Sequence, residues 1–192
     1  NAQIEYTELE TNTEFYGKAF GTFIHWVIEN QYWDIEKYGD ILRGKIATFP
    51  EGAIQLSETD WINYLIRFSE MDAIQMLQSI PSEHLFTEHA VEGYLMSADG
   101  HTKIALSGII DALYFHDDEW VIRDYKSDTT DHRLDQYLNQ IQTYMHLVKE
   151  WYHFPKIRGE LVFTSQQKVV ASPFDPHYYS KISLLETTGW TV

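Results

Sequence analysis

The chain has 192 residues, of which 44% are hydrophobic and 15% aromatic, so its composition fits one globular domain and not a disordered chain. Cysteine is absent, which excludes disulfides, zinc–thiolate sites and cysteine-ligated iron–sulfur clusters. The formal net charge is −15, and no apolar run approaches the roughly 18 residues of a membrane span. The first residues lack the basic and apolar regions of a secretory signal, so we expect a cytoplasmic protein.

The first part of the chain is predicted to be helical. Apolar residues at 20, 23, 24, 27 and 28 recur at helical spacing and predict a helix over residues 15–32. Residues 34–47 predict a second, short helix. A third helix is expected to start at the capping sequence around Ser57 and to run to about Ser79 as a packed support helix.

Strands dominate the rest of the chain. Residues 84–126 predict a three-stranded meander, with a strong hairpin signal at Asp99-Gly100 and a second turn at 116–119. A helix near 131–152, two strands over 159–164 and 168–172, and a last helix beginning at Asp175-Pro176 complete the chain. This order predicts a single α/β domain over residues 1–192, with a mixed central sheet flanked by helices.

Two neighbouring strands of the meander carry the candidate catalytic residues. Asp111 lies inside an apolar run, and Asp124 and Lys126 are two residues apart, so their side chains should share one face of a strand. The turn between the strands should bring Asp111 near that pair. Two close carboxylates repel each other unless a cation lies between them, and magnesium prefers such oxygen ligands. The alternatives are a surface salt bridge between Asp124 and Lys126 and an Asp111 satisfied by backbone N–H groups.

The same residues resemble the core of the PD-(D/E)xK nucleases, in particular the RecB/AddA-type domain at the C-terminus of bacterial helicase-nucleases (UvrD/RecB-like). The matching elements span residues 21–144 in family order. They are Gly21-Thr-Phe-Ile-His25 for GxxxH, then Asp111, then Asp124-Tyr125-Lys126 for the DYK strand, and finally Tyr137, Gln140 and Tyr144 in the spacing YxxQxxxY.

The resemblance implies a restriction-endonuclease-like fold and a divalent-metal site. Its ligands to Mg²⁺ or Mn²⁺ would be His25, Asp111, Asp124 and the backbone carbonyl of Tyr125. Glu88 is added because the family often has an acid on that strand; the alternative is a solvent-facing strand with alternating charge. No zinc site is expected, because His84 and His89 match no zinc spacing and should lie on opposite strand faces.

The resemblance also implies roles for the remaining motif residues. Lys126 would orient the attacking water or help to deprotonate it. Gln140 and Tyr144 would form hydrogen bonds near the site and contact the nucleic-acid backbone, unless they are only amphipathic-helix residues. Tyr137 shares their helix face and would add a stacking group.

These features predict a metal-dependent DNA nuclease, exonucleolytic and acting in repair or recombination. The chain has 14 Lys and Arg residues and 29 acidic residues, which disfavours binding of the domain alone to the phosphates of DNA. We therefore expect single-stranded DNA to be delivered by a helicase domain or subunit, and the missing initiator Met suits a C-terminal fragment of such a protein. The alternatives are a catalytically silent nuclease fold that binds DNA or protein, and a stand-alone exonuclease.

Overall fold

The computed structural model of the chain describes residues 18–49, 57–96, 103–127 and 133–178. Four helices come first, α1 (Lys18–Glu29), α2 (Ile35–Ile46), α3 (Glu58–Glu70) and α4 (Asp72–Ser79), and a 3-10 turn over Ser82–His84 leads into the sheet. The remaining elements are β1 (Leu85–Met96), β2 (Lys103–His116), β3 (Glu119–Lys126), α5 (Leu134–Tyr152), β4 (Ile157–Phe163) and β5 (Lys168–Pro173).

The strands form one five-stranded sheet in the order β1-β2-β3-β4-β5. Strands β3 and β4 are parallel and α5 connects them, whereas every other neighbouring pair is antiparallel. Helices α1–α4 pack on one face of the sheet and α5 packs on the other, each over its own hydrophobic cluster. The predicted mixed α/β sheet flanked by helices is therefore confirmed.

The β2–β3 turn is the one that the sequence predicts. Asp117 and Asp118 both have positive φ angles, 50° and 62°, as a two-residue hairpin of the type I′ kind requires. The hairpin predicted at Asp99-Gly100 lies outside the described residues, although β1 and β2 pair as its flanking strands from Met96 and Lys103 onward. Tyr178 is the last described residue, so the helix predicted after Asp175-Pro176 also falls mainly outside them.

The single helix predicted from Ser57 to Ser79 is wrong, because the chain breaks into α3 and α4 at Met71. Met71 has an extended backbone, with φ −60° and ψ 133°. Phe68 and Leu77 are both buried in the same cluster. Nine residues make about two and a half turns of helix, so an unbroken helix would place these two side chains on opposite faces. The break lets both of them reach the core.

Helix α5 lies very close to the sheet because glycines face it. A Cβ atom added at Gly159 on β4 would lie 2.1 Å from Ile141 Cγ2, and one at Gly93 on β1 would lie 2.5 Å from Leu147 Cδ2. These glycines leave room for the apolar face of α5, which buries Ile141, Met145 and Val148. Among the described residues, no helix has the length and apolar composition that a membrane span requires.

Substitution of Gly159 tests this close approach. Gly159→Ala should lower the free energy of unfolding by about 1–3 kcal/mol, because the buried Ile141 side chain must move. The matched control is Gly44→Ala in α2, where an added Cβ meets nothing within 4 Å and alanine favours the helix by roughly 0.5–1 kcal/mol. Urea denaturation of both variants measures the difference; equal stability of the two would contradict the packing described.

Candidate metal-binding active site

Strands β1 and β2 bend at the same point and present two carboxylates side by side. Thr87 and His89 pair with Ala112 and Ile110, so Glu88 lies across from Asp111. Glu88 has a φ of 49°, a left-handed conformation that a glutamate rarely adopts. On β2, Ile110 packs against α5, whereas Ala112 belongs to the α1–α4 core and Asp111 also faces α1. The normal alternation of side chains therefore shifts by one residue here, and such local strain is typical of functional sites.

Asp111 bridges the gap where β2 and β3 separate. Their pairing ends at Ala112 and Arg123, and beyond it the Tyr125 N–H donates to Asp111 Oδ2 at 2.7 Å. His25 on α1 completes the arrangement, with Nδ1 3.3 Å from Asp111 Oδ1 and Nε2 3.0 Å from the Tyr125 carbonyl oxygen. One imidazole thus contacts the side chain and the carbonyl that the sequence singles out as metal ligands.

Gly21 lies one helical turn before His25, at a position where a side chain would meet the end of β3. A Cβ atom at Gly21 would lie 2.7 Å from Ser127 Oγ, just after the end of β3. Without a side chain at this position, α1 can rest against the strand end, and His25 reaches Tyr125. A larger residue at position 21 would therefore require the Ser127 side chain to shift, so the glycine of GxxxH also favours this packing.

Asp124 and Lys126 share one face of β3, as strand alternation predicts. Lys126 Nζ lies 2.6 Å from Asp124 Oδ2, and Asp124 is only 3% exposed. Ile122 and Lys126 on the same strand contact the α5 side, so Asp124 approaches the site from the sheet face opposite His25. The predicted proximity of Asp111 to this pair follows from the contact between Asp111 and the intervening Tyr125 N–H.

The three residues of the downstream motif gather around Lys126. Its ammonium donates to Gln140 Oε1 at 3.2 Å and lies 4.4 Å from the centre of the Tyr137 ring. Gln140 Nε2 in turn donates to the Tyr144 hydroxyl at 2.9 Å. Tyr144 is 8% exposed and packs on Gly108, where an added Cβ would lie 2.5 Å from the ring. These contacts orient Lys126; contact with nucleic acid stays a prediction.

The site concentrates negative charge around two buried carboxylates, those of Asp111 and Asp124. Burial and the neighbouring Asp111 carboxylate raise the pKa of Asp124 to about 6, although Lys126 partly opposes them. Burial alone would lower the pKa of His25, but Asp111, aided by Asp124, raises it above its ordinary value. Burial and Asp111 likewise raise the pKa of Glu88.

A divalent cation fits this donor set. His25, Glu88 and Asp111 each offer a ligand atom, and these atoms lie within 4.8 Å of one another. Hard carboxylate and carbonyl oxygens with one imidazole suit magnesium or manganese, and a cation between them would stabilise the ionised acids. The Asp124 carboxylate is not a member of this three-residue group, because it is turned toward Lys126.

The group opens into a cleft of about 510 Å³ between α1, the end of α2 and strands β1 and β2. Two charged residues that line the cleft, Glu29 and Lys45, are not among the site residues that the sequence predicts. Glu29 follows His25 by four residues on α1, so helical spacing could have located it. Lys45 comes from α2, and only the packing of α2 against α1 brings it here.

The sequence model of the PD-(D/E)XK nuclease superfamily matches residues 4–180. The chain belongs to this superfamily. No curated protein matches its sequence. A solved structure titled "Crystal structure of SSO0001" is similar, with 15% identity, a TM-score of 0.40, and coverage of 86% of this chain and 71% of that one. Nucleases of the PD-(D/E)XK superfamily use divalent metals, so the donor set around Asp111 has the expected chemistry.

Calorimetric titration with Mn²⁺ tests the donor set of this superfamily member. Asp111→Asn keeps an oxygen that can accept the Tyr125 N–H but removes the negative charge, so the affinity should fall by roughly tenfold or more. Glu88→Gln should weaken binding by a smaller factor. Glu92→Gln is the matched control, because Glu92 is an exposed acid on the same strand. Equal Mn²⁺ affinity of wild type and Asp111→Asn would contradict the assignment.

Proposed function

We propose that the chain is a Mg²⁺- or Mn²⁺-dependent nuclease that hydrolyses phosphodiester bonds of DNA. The observation that carries the proposal is the meeting of His25, Glu88 and Asp111 in one cleft, next to the buried Asp124–Lys126 pair. Asp111 and Asp124 are buried, and two neighbouring buried carboxylates are costly unless a cation lies between them. The superfamily membership supplies the reaction class.

Each residue has a proposed role. His25, Asp111, Asp124 and the Tyr125 carbonyl, with Glu88 beside them, would hold the ion. A bound divalent ion supplies Lewis acidity toward a phosphoryl oxygen and toward water. The Lys126 ammonium, held by Gln140 and Tyr137, donates a hydrogen bond to the attacking water or to the developing negative charge on the phosphate. The chain of contacts from Tyr144 through Gln140 keeps that ammonium oriented before substrate arrives.

The cellular setting is part of the proposal. The motif order resembles that of the RecB/AddA branch, and we propose that the domain works as an exonuclease in DNA repair or recombination within a cytoplasmic helicase-nuclease. The net charge of −15 opposes the approach of a polyanion. A helicase domain or subunit that feeds single-stranded DNA into the cleft removes this difficulty, whereas a stand-alone exonuclease would need its own basic groove.

A second candidate function is a silent nuclease fold that binds DNA or protein without cutting. One observation favours it: Asp124 forms an ion pair with Lys126 and lies outside the His25–Glu88–Asp111 group. A Lys126 engaged in this way has fewer hydrogen-bond donors to offer the reaction. The two candidates differ in whether a bound ion and substrate draw Asp124 away from Lys126, so cleavage assays separate them.

Cleavage of a labelled single-stranded DNA in Mg²⁺ or Mn²⁺ tests the proposal. Asp124→Ala should reduce both Mn²⁺ binding and cleavage by orders of magnitude. Lys126→Ala should keep Mn²⁺ binding but lower kcat by roughly a hundredfold or more, because its role is in the transition state. Gel resolution of the products, with Mn²⁺ affinity measured in parallel, checks both variants.

Lys156→Ala is the matched control for Lys126→Ala. Lys156 also pairs with an aspartate, Asp118, at 2.6 Å, but this pair is exposed at the far turn of the sheet. The control should cleave as the wild type does. A wild-type protein that binds Mn²⁺ and yet leaves every DNA substrate intact would support the silent fold instead, and normal turnover by Lys126→Ala would reduce Lys126 to a structural ion-pair residue.

A further inference from the structure

The cleft that holds the candidate metal ligands has an uneven charge distribution. Three carboxylates line it, those of Glu29, Glu88 and Asp111. Apart from His25, the only basic side chain among the described residues that line it is Lys45, in the last turn of α2. A substrate phosphate that approaches this cleft therefore meets one permanent positive charge outside the catalytic group.

Among the described residues, aromatic rings and not acids contact the Lys45 ammonium. Its Nζ atom lies 5.0 Å from the centre of the Trp26 ring and 6.0 Å from that of Phe49. No described carboxylate lies within 4.0 Å of this ammonium, even though three line the same cleft. Arg43, two residues earlier on α2, contrasts with it, because Arg43 pairs with both Asp40 and Glu58.

This environment suits an external anion. Aromatic rings attract an ammonium through their faces but do not occupy its hydrogen-bond donors as a carboxylate would. A phosphate oxygen is a strong acceptor for such donors, and lysine is a common phosphate ligand. In a chain with so few basic residues, a cation that is left without an acidic partner beside the reaction site is suited to the substrate.

We propose that Lys45 binds a phosphate of the DNA strand next to the one that is cut. The inference rests on the proposed nuclease function and extends it, since it assigns a substrate-binding residue that none of the motifs contains. A residue of this kind selects a polynucleotide over a substrate with a single phosphodiester. Lys45 would thus compensate locally for the acidic surface that opposes DNA binding.

Equilibrium binding isolates this contact from cleavage. Fluorescence anisotropy with a labelled single-stranded oligonucleotide, with Ca²⁺ replacing Mg²⁺ to block hydrolysis, gives the affinity at several salt concentrations. Lys45→Ala should weaken binding roughly three- to tenfold at low salt. It should also flatten the slope of log affinity against log salt by about 0.7, the loss expected for one single-strand phosphate contact. Lys45→Arg should retain the wild-type slope.

The same helix offers a matched control. Lys37 on α2 also lies over an aromatic ring, 4.7 Å from the centre of Tyr38, but it lines a different cleft between α2, α3 and α4. Lys37→Ala removes the same charge from the same helix and should leave affinity and slope unchanged. Thermal unfolding of each variant shows whether the fold is kept.

Kinetics add a readout that a purely structural lysine would not change. Lys45→Ala should raise KM more than it lowers kcat on an oligonucleotide, and the effect on KM should shrink on a dinucleotide, which has no neighbouring phosphate. Three outcomes would each overturn the inference. Lys45→Ala could keep the wild-type affinity and slope, or Lys37→Ala could lose as much affinity as Lys45→Ala. The third is that the wild type shows no measurable binding at low salt. A wild type that binds the oligonucleotide but never cleaves it refutes the nuclease function alone, because the binding comparison still decides the role of Lys45.

Discussion

The hydrogen bond from the Tyr125 N–H to Asp111 Oδ2 is the contact on which the candidate site depends. Beyond the point where β2 and β3 stop pairing, the Asp111 carboxylate replaces a backbone carbonyl as the acceptor of the Tyr125 N–H. It fixes the carboxylate of Asp111 against His25 and places the Tyr125 carbonyl, which accepts from His25, on the same side. Because an unsatisfied buried N–H costs about 1–3 kcal/mol, the fold itself favours an acceptor at Asp111, the residue that we propose as a metal ligand.

Strand β3 contributes to one ion pair on each face of the sheet. Asp124 and Lys126 pair on the α5 side, whereas Arg123 is buried on the other side and donates to Glu160 Oε2 and to the Ala73 carbonyl. Burial would raise the pKa of Glu160, but Arg123 and Arg158 together hold it below its ordinary value. Asp124 and Arg123, the buried charges of β3, thus each have a partner, and the Ala73 contact holds α4 against this strand.

The parts of the fold that follow from local periodicity could be predicted from the sequence, and those set by tertiary packing could not. Strand alternation places Asp124 and Lys126 on one face, and the GxxxH spacing of Gly21 and His25 indicates the helix that contacts Asp111 and Tyr125. The bend at Glu88 and Asp111 could not be foreseen, because nothing in an alternating pattern signals a left-handed glutamate. The break at Met71 is missed for the converse reason: the capping sequence at Ser57 predicts one continuous helix to about Ser79, and only the helical phase of Leu77 contradicts it. Lys45 belongs to no motif, so only the packing of α2 reveals it.

The central claim is that His25, Asp111 and the Tyr125 carbonyl, with Asp124 and Glu88, surround one divalent-ion site. Anomalous diffraction from a crystal of the protein grown with Mn²⁺ measures this directly. The account predicts a manganese peak in the cleft, bonded to Asp111 and to the Tyr125 carbonyl, with Asp124 turned away from Lys126 toward the ion. A saturated crystal in which manganese binds only elsewhere on the protein, with His25 still bridging Asp111 and Tyr125, would contradict it.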